Sequence, residues 1–312
     1  MNEQTKSEYR KLAKHFYKKN GIDTPTAKKV SDALKECAQN YRPDYWRRLR
    51  SALVLAAMDA GAYKAADTIR ATKNPVTSHP SNRDQIKPKQ HRQKAINLTD
   101  ETLLMDYLFK NEEATVFAAI TLISHLGCRP AELIDLVFLN GHSIMIPSAK
   151  QTSDGKRGLD RIIEIEDTAL FNGLIMSHEM LVSAPYTNPI RYVQRRLDVL
   201  TQRLWPKRKT RPSLYTWRHQ LGSDLKASNI DPNAIAVIMG HQSTESVKIY
   251  GNARSYRSSR DYLKPSQDFV NDVKRKNTHR LSEKKPKETF TFNGLSQQIQ
   301  QHYSGRQAKS KR

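Results

Sequence analysis

Helical periodicity dominates the chain and fails in three places. From Lys6 to Lys19, Tyr9, Leu12, Ala13, Phe16 and Tyr17 recur at three-to-four spacing, and Asn20-Gly21 ends the run. Thr24-Pro25 or Thr26 opens a second helix with Val30, Ala33, Leu34 and Cys37 on one face. A third follows Asp44, carries Trp46, Leu49, Leu53, Ala56 and Ala57, and stops near Gly61. A short fourth covers Tyr63–Ile69. Residues 1–72 thus predict an all-helical unit with Lys and Arg on its outer faces.

The period is lost over residues 73–96, which hold Pro75, Pro80 and Pro88 and no aromatic residue other than His. This composition predicts an extended, basic linker, whether a passive spacer or a strap. Residues 97–263 predict a second unit. Thr99 is a candidate N-cap with Asp100 and Glu101 in the first turn. Thr115–Leu126 reads as a buried helix, and Gly127-Cys128-Arg129-Pro130 interrupts it before Ala131–Leu136. Alternation then predicts strands Ser143–Ile146 and Arg161–Ile165, joined by the polar turn Gln151–Asp160. From Asp167 to Tyr262 the pattern is helical again, with loops at Ser183–Asn188 and Trp205–Ser213. Past Leu263 large apolar residues are sparse, so residues 264–312 predict a basic tail with little core. The fold class expected is mainly α with a small antiparallel β-sheet.

Composition narrows the partner. The 312 residues carry a formal net charge of +22, with 37% hydrophobic residues and a mean hydropathy of −0.74. No apolar run reaches the roughly 18 residues a membrane span needs. The start, MNEQTKSEYRK, lacks the apolar stretch of a secretory signal. Cys37 and Cys128 make neither a disulfide framework nor a CxxC pair. A soluble, cytoplasmic chain with a polyanionic partner is expected, and several basic blocks around a balanced core point to nucleic acid. Arg191 to Arg218 holds nine basic residues against Asp198 alone. Arg195, Arg196, Lys207, Arg208, Lys209 and Arg211, with Lys87 and Lys89 of the linker, are the candidate DNA contacts.

Five features follow in order. Arg129 stands before Pro130, which biases it away from helical angles at a helix mouth. Lys150 follows the strand Ile144–Ile146 at the turn, with Lys156 as its rival at the tip. Tyr215-Thr216-Trp217-Arg218-His219 closes the basic cluster. Gly240-His241 ends a helix that Asp231 caps and Pro232 starts. Tyr250 comes nine residues after His241, on a short helix begun near Ser243 or Thr244. Each alone has an ordinary structural reading.

Together they resemble the tyrosine recombinase (phage integrase) family. Its pattern is G-x-R-x-x-E-L, a hairpin Lys, H-x-x-R-H, then G-H some 23 residues on and a Tyr nine after that. Gly127-x-Arg129-x-x-Glu132-Leu133 matches the first box, and Arg218, His241 and Tyr250 keep the 23- and nine-residue spacings. The chain departs where Tyr215 replaces the usual His; a phenol suits phosphate hydrogen bonding better than general-base work.

The resemblance implies a helical core-binding domain (1–72), the linker (73–96) and a catalytic domain (97–263), closing as a C-shaped clamp on duplex DNA at a specific site. It further implies a Tyr250 nucleophile, Arg129 and Arg218 on the non-bridging oxygens, His241 and Tyr215 as hydrogen-bond donors and Lys150 as acid; His219, beside Arg218, is read as structural. A 3′-phosphotyrosine intermediate, a Holliday junction and a homo-tetramer follow from it, with accessory DNA-bending or directionality factors as possible partners. Bond energy is conserved in such a reaction, so no cofactor, ATP or metal is expected; the chain has no Gly-Lys-Ser/Thr phosphate loop. The tail either docks in trans through Phe290, Phe292, Leu295, Ile299 and Tyr303 or is an arm that adds affinity. Two rivals stand: a type IB topoisomerase, and a DNA-binding accessory protein with an impaired site.

Overall fold

A computed structural model describes residues 1, 3–88, 91–150, 158–228, 230–247 and 250–279. It divides into two units, Met1–His91 and Arg92–Arg312. In the first, helices α1 (Glu3–Lys19), α2 (Ala27–Glu36), α3 (Pro43–Asp59) and α4 (Tyr63–Ala71) surround one core. Phe16, Leu34, Leu49, Leu53 and Ile69 fill it at 3% exposure or less. Thr26 caps α2 by accepting from the Lys29 N–H at 3.3 Å. The Trp46 indole donates to the Leu34 carbonyl at 2.7 Å, so its one polar atom is satisfied inside the core.

The stretch expected to be extended instead begins as part of this unit. Asn74 accepts from the Val76 N–H at 2.9 Å and Pro75 takes the first helical position, which starts α5 (Pro75–Ser78). A 3₁₀ turn follows over Pro80–Gln85, and Val76 and Ile86 pack on the core. Two apolar side chains outweigh the extended tendency of the prolines around them.

The second unit opens with α6 (Leu98–Lys110) and α7 (Ala114–Leu126). Asn97, not Thr99, caps α6, accepting from the Asp100 N–H at 2.7 Å. α7 is apolar on nearly every face and accordingly buried. Gly127 ends it at φ +62°, a conformation suited to glycine, and a Cβ there would stand 2.6 Å from Leu221. Pro130–Glu132 is a 3₁₀ turn rather than a longer helix.

The sheet runs β1 (Val137–Leu139), β2 (Ser143–Ile146), β3 (Arg161–Ile165), β4 (Leu263–Pro265), antiparallel throughout. Ile144 faces Ile163, and Ile146 faces Arg161. Helices α8 (Thr168–Val182), α9 (Pro189–Leu204), α10 (Leu214–Ala227), α11 (Pro232–Ile238) and α12 (Thr244–Val247) complete the body, with α13 (Gln267–His279) after β4. β4 and α13 depart from the expected coreless tail: Leu263 pairs with Ile165, and Val270 and Val273 are buried in the main core. Phe269 packs against the same core, so a few apolar side chains dock this stretch. The proposed anchors Phe290–Tyr303 lie outside the described residues. Among the described residues no helix is long and apolar enough to cross a membrane.

Candidate active site

The site forms around the C-terminal end of α11. Asp231 caps this helix and Pro232 opens it; Gly240, at φ +61°, turns the chain away. That turn leaves three successive carbonyls without helical partners, and each takes a different arginine. Arg161 Nε donates to Ile238 O at 2.9 Å, Arg218 Nη2 to Met239 O at 2.5 Å, and Arg129 Nη2 to Gly240 O at 2.9 Å. The negative end of the helix dipole favours cations here. Arg218 Nη1 also donates to Gly127 O at the end of α7.

One carboxylate pairs with two of the three guanidinium groups. Glu132, fully buried, accepts from Arg129 Nη1 at 2.5 Å, from the Arg129 N–H at 2.8 Å and from Arg161 Nη2 at 3.1 Å. Burial raises its pKa, but Arg161 and Arg129 overcome that and hold it at about 2. The cluster thus carries excess positive charge in a buried place. Arg129 Nε, Arg161 Nη1 and Arg218 Nε find no hydrogen-bond partner among the described residues. Buried N–H groups and uncompensated charge of this kind make an anion site. Burial first, then Arg129 and Arg161, lowers the Arg218 pKa, yet the guanidinium stays charged at neutral pH.

His241 follows Gly240 directly and is 5% exposed. Arg218 Nη2 lies 3.3 Å from its Nε2. A guanidinium only donates, so Nε2 is the acceptor and the proton rests on Nδ1, which has no partner among the described residues. Burial, Arg218 and Arg129 push the His241 pKa down to about 2, with Arg161 and Lys150 adding to it. The imidazole is neutral.

The Tyr250 ring closes the group. Its centroid lies 4.9 Å from that of His241 and 4.8 Å from that of His219, and the Arg218 guanidinium carbon lies 4.9 Å from it. Tyr250 lies just past α12, not within it, and its N–H donates to Val247 O at 3.1 Å. Tyr215, 36% exposed, has a raised pKa, chiefly through burial and then Tyr250, while Arg218 and Arg129 oppose the rise. Lys150 is exposed at the hairpin base, which Ser148 N–H to Asp160 Oδ1 (2.6 Å) and Ala149 N–H to Glu132 Oε1 (3.4 Å) fix beside the cluster. Lys156 and Lys89 lie outside the described residues.

Arg129, Arg218, His241 and Tyr250 therefore converge, with Lys150 and Tyr215 near them. Arg161 was not foreseen. It reads as the polar end of a strand, yet it is wholly buried, and a Cβ on Gly240 would stand 2.6 Å from its Nη1. In the sequence Gly240 reads only as a helix stop, so nothing there pointed to Arg161.

Of the expected DNA contacts, Arg195, Lys207, Arg208 and Lys209 are exposed. Arg196 pairs with Glu113 (Nε–Oε1 2.8 Å), Arg208 forks onto Asp100 (2.7 and 2.9 Å), and Arg211 faces Asp198 at 3.6 Å. Lys87 donates to Asn40 O at 2.8 Å. Counting acids along one stretch missed Glu113 and Asp100, which come from elsewhere in the chain.

No family model matches the chain, and no curated protein matches it. Solved structures resemble it at low identity. Tn1549 transposon integrase in complex with transposon right-end DNA is 14% identical over 91% of this chain and 95% of its own, at a TM-score of 0.49. XerA recombinase is 16% identical over 91% and 94%, at 0.39. XerH site-specific recombinase bound to difH substrate is 14% identical over 72% and 66%, at 0.42. All three scores are below 0.5, so the reading of the site rests on its own geometry.

Proposed function

We propose that this chain is a tyrosine recombinase: a site-specific DNA recombinase that breaks and rejoins duplex DNA through a covalent tyrosine link. The observation that carries the reading is the Tyr250 ring set against Arg218 and His241, beside a buried cluster whose arginine N–H groups await an anion. A phosphodiester supplies that anion, and the charge it gathers on attack is what guanidinium forks stabilise best.

The phenol oxygen of Tyr250 attacks phosphorus, its proton passing to water. The bond to the 5′ oxygen breaks, the electron pair stays on that oxygen, and Lys150 protonates it. The product is a 3′-phosphotyrosine and a free 5′ hydroxyl; attack by a partner strand's 5′ hydroxyl reverses the step. Arg129 and Arg218 hold the non-bridging oxygens, the Nδ1–H of His241 donates to one of them, and the Tyr215 hydroxyl takes the place of the usual His as a donor. Exchange of two strands through a Holliday junction, then of the other two, would take place in a tetramer on synapsed sites. The units of the chain serve as a DNA-binding domain and a catalytic domain.

The test is capture. Nicked duplexes with a randomised core are incubated with the protein, denatured, and the DNA ends left on protein are sequenced. Wild type should enrich one sequence linked through Tyr250, and Tyr250→Phe should give none. No adduct from wild type overturns the reading, and relaxation of a plasmid lacking the captured sequence favours topoisomerase activity instead.

A further inference from the structure

The geometry points to His219 as a positioning residue for Tyr250: its ring is the wall that sets the direction of the phenol. The inference rests on the function proposed above. His219 and Tyr250 are stacked, with centroids 4.8 Å apart and 24° between their planes. The other neighbours meet the phenol differently, His241 at 41° and Arg218 through its guanidinium. His219 alone lies nearly parallel to it among the described rings.

The main chain just after Tyr250 is held on α10. Gly222, one turn along α10 from His219, lies directly against Tyr250: a Cβ there would meet the Tyr250 Cβ at 3.4 Å, an ordinary contact distance. Ser223 Oγ donates to His219 O at 3.1 Å and accepts from the Asn252 N–H at 2.9 Å. Lys226 Nζ donates to Gly251 O at 3.0 Å. With Gly251 and Asn252 tied to α10, a flat neighbour restricts rotation of the Tyr250 side chain.

The His219 ring is not there for a polar contact. Its Nδ1 is buried without a partner among the described residues. Burial, with Lys94 and Arg218 behind it, holds its pKa near 4, so it presents a neutral face. What it offers Tyr250 is area and plane, worth about 1 kcal/mol in aromatic pairs, or about fivefold in a rate or equilibrium.

The experiment compares wild type, His219→Ala, His219→Leu and His219→Phe in the full chain, each first checked by thermal melting. The DNA-free readout is acetylation of Tyr250 by N-acetylimidazole, followed by peptide mass spectrometry with Tyr256 as the internal reference. His219→Ala and His219→Leu should acetylate Tyr250 about fivefold faster than wild type, and His219→Phe should restore the wild-type rate. On the captured sequence, adduct formation should slow by a similar factor in the same two variants without loss of DNA affinity. Equal Tyr250 acetylation in all four proteins, or a wild-type rate in the Leu variant, overturns the proposal. If the Ala variant does not fold, the Leu and Phe pair decides. If the acetylation order holds but wild type forms no adduct, the stacking role stands and the recombinase reading falls.

Discussion

A Cβ placed on Gly251 would stand 2.5 Å from the carbonyl carbon of Gly222 and 2.8 Å from His219 O. At φ +69° Gly251 also has a backbone that side chains rarely adopt. Only glycine lets the chain just past Tyr250 lie flat on α10. Gly251→Ala should cost about 3 kcal/mol from strain and overpacking together. It should displace Tyr250 and suppress the covalent adduct. DNA binding by gel shift should persist; an adduct yield equal to wild type would contradict this account of Gly251.

Glu132 is the sole carboxylate on Arg129 and Arg161 among the described residues, so its charge holds two buried cations. Glu132→Gln leaves them uncompensated, and breaking a buried pair this way costs about 3–5 kcal/mol. The melting temperature should fall steeply. Adding Arg161→Met should recover part of the loss, since one of the stranded charges goes with it. A double variant no more stable than Glu132→Gln would show that the two side chains are not coupled.

Much of this is legible in the sequence. The periodic helices announced themselves because their apolar stripes are continuous, and the strands Ser143–Ile146 and Arg161–Ile165 stand where alternation put them. Arg129, Arg218, His241 and Tyr250 could be picked out because spacing within short motifs survives in one dimension. Arg161 could not: its partners are Glu132, 29 positions away, and Ile238, 77 positions away. The strand Leu263–Pro265 escaped for the same reason, being three residues whose pairing with Ile163–Ile165 depends wholly on the fold. The stacking of His219 on Tyr250 leaves no trace in sequence.

Arg129 and Arg218 should matter to the rate rather than to binding. Each loses about 100- to 1000-fold in adduct formation on truncation to Ala, the range for removing one preorganised donor. Lys retains charge but not the fork, so Arg129→Lys should remain well below wild type. Gel-shift affinity for the captured sequence should change little by comparison. Equal loss of both would place these residues in docking, not in the stabilisation of charge on phosphate.

Acid should unfold the free protein earlier than its carboxylates alone would require. His241 is held near pKa 2, and His125 and His219 near 4, each mainly by burial, against an ordinary 6.5. The folded state keeps these rings neutral while the unfolded chain protonates them below 6.5, so the unfolded state binds more protons. Stability is therefore complete above that pH and falls as pH drops from 6.5 towards 4, by at most about 1.4 kcal/mol per pH unit for each ring. Glu132, held near 2 by Arg161 and Arg129 despite burial, adds a second loss of the same sign between about 4.5 and 2. Melting curves at pH 7, 6 and 5 should shift steadily downward. His125→Gln should flatten that shift, because an amide in the same place has no proton to gain. Should the bound phosphodiester lie against His241 as proposed, its negative charge would raise that pKa. Captured DNA should then weaken the pH dependence of melting in wild type but not in His241→Gln, and an equal change in both proteins would separate His241 from the phosphate.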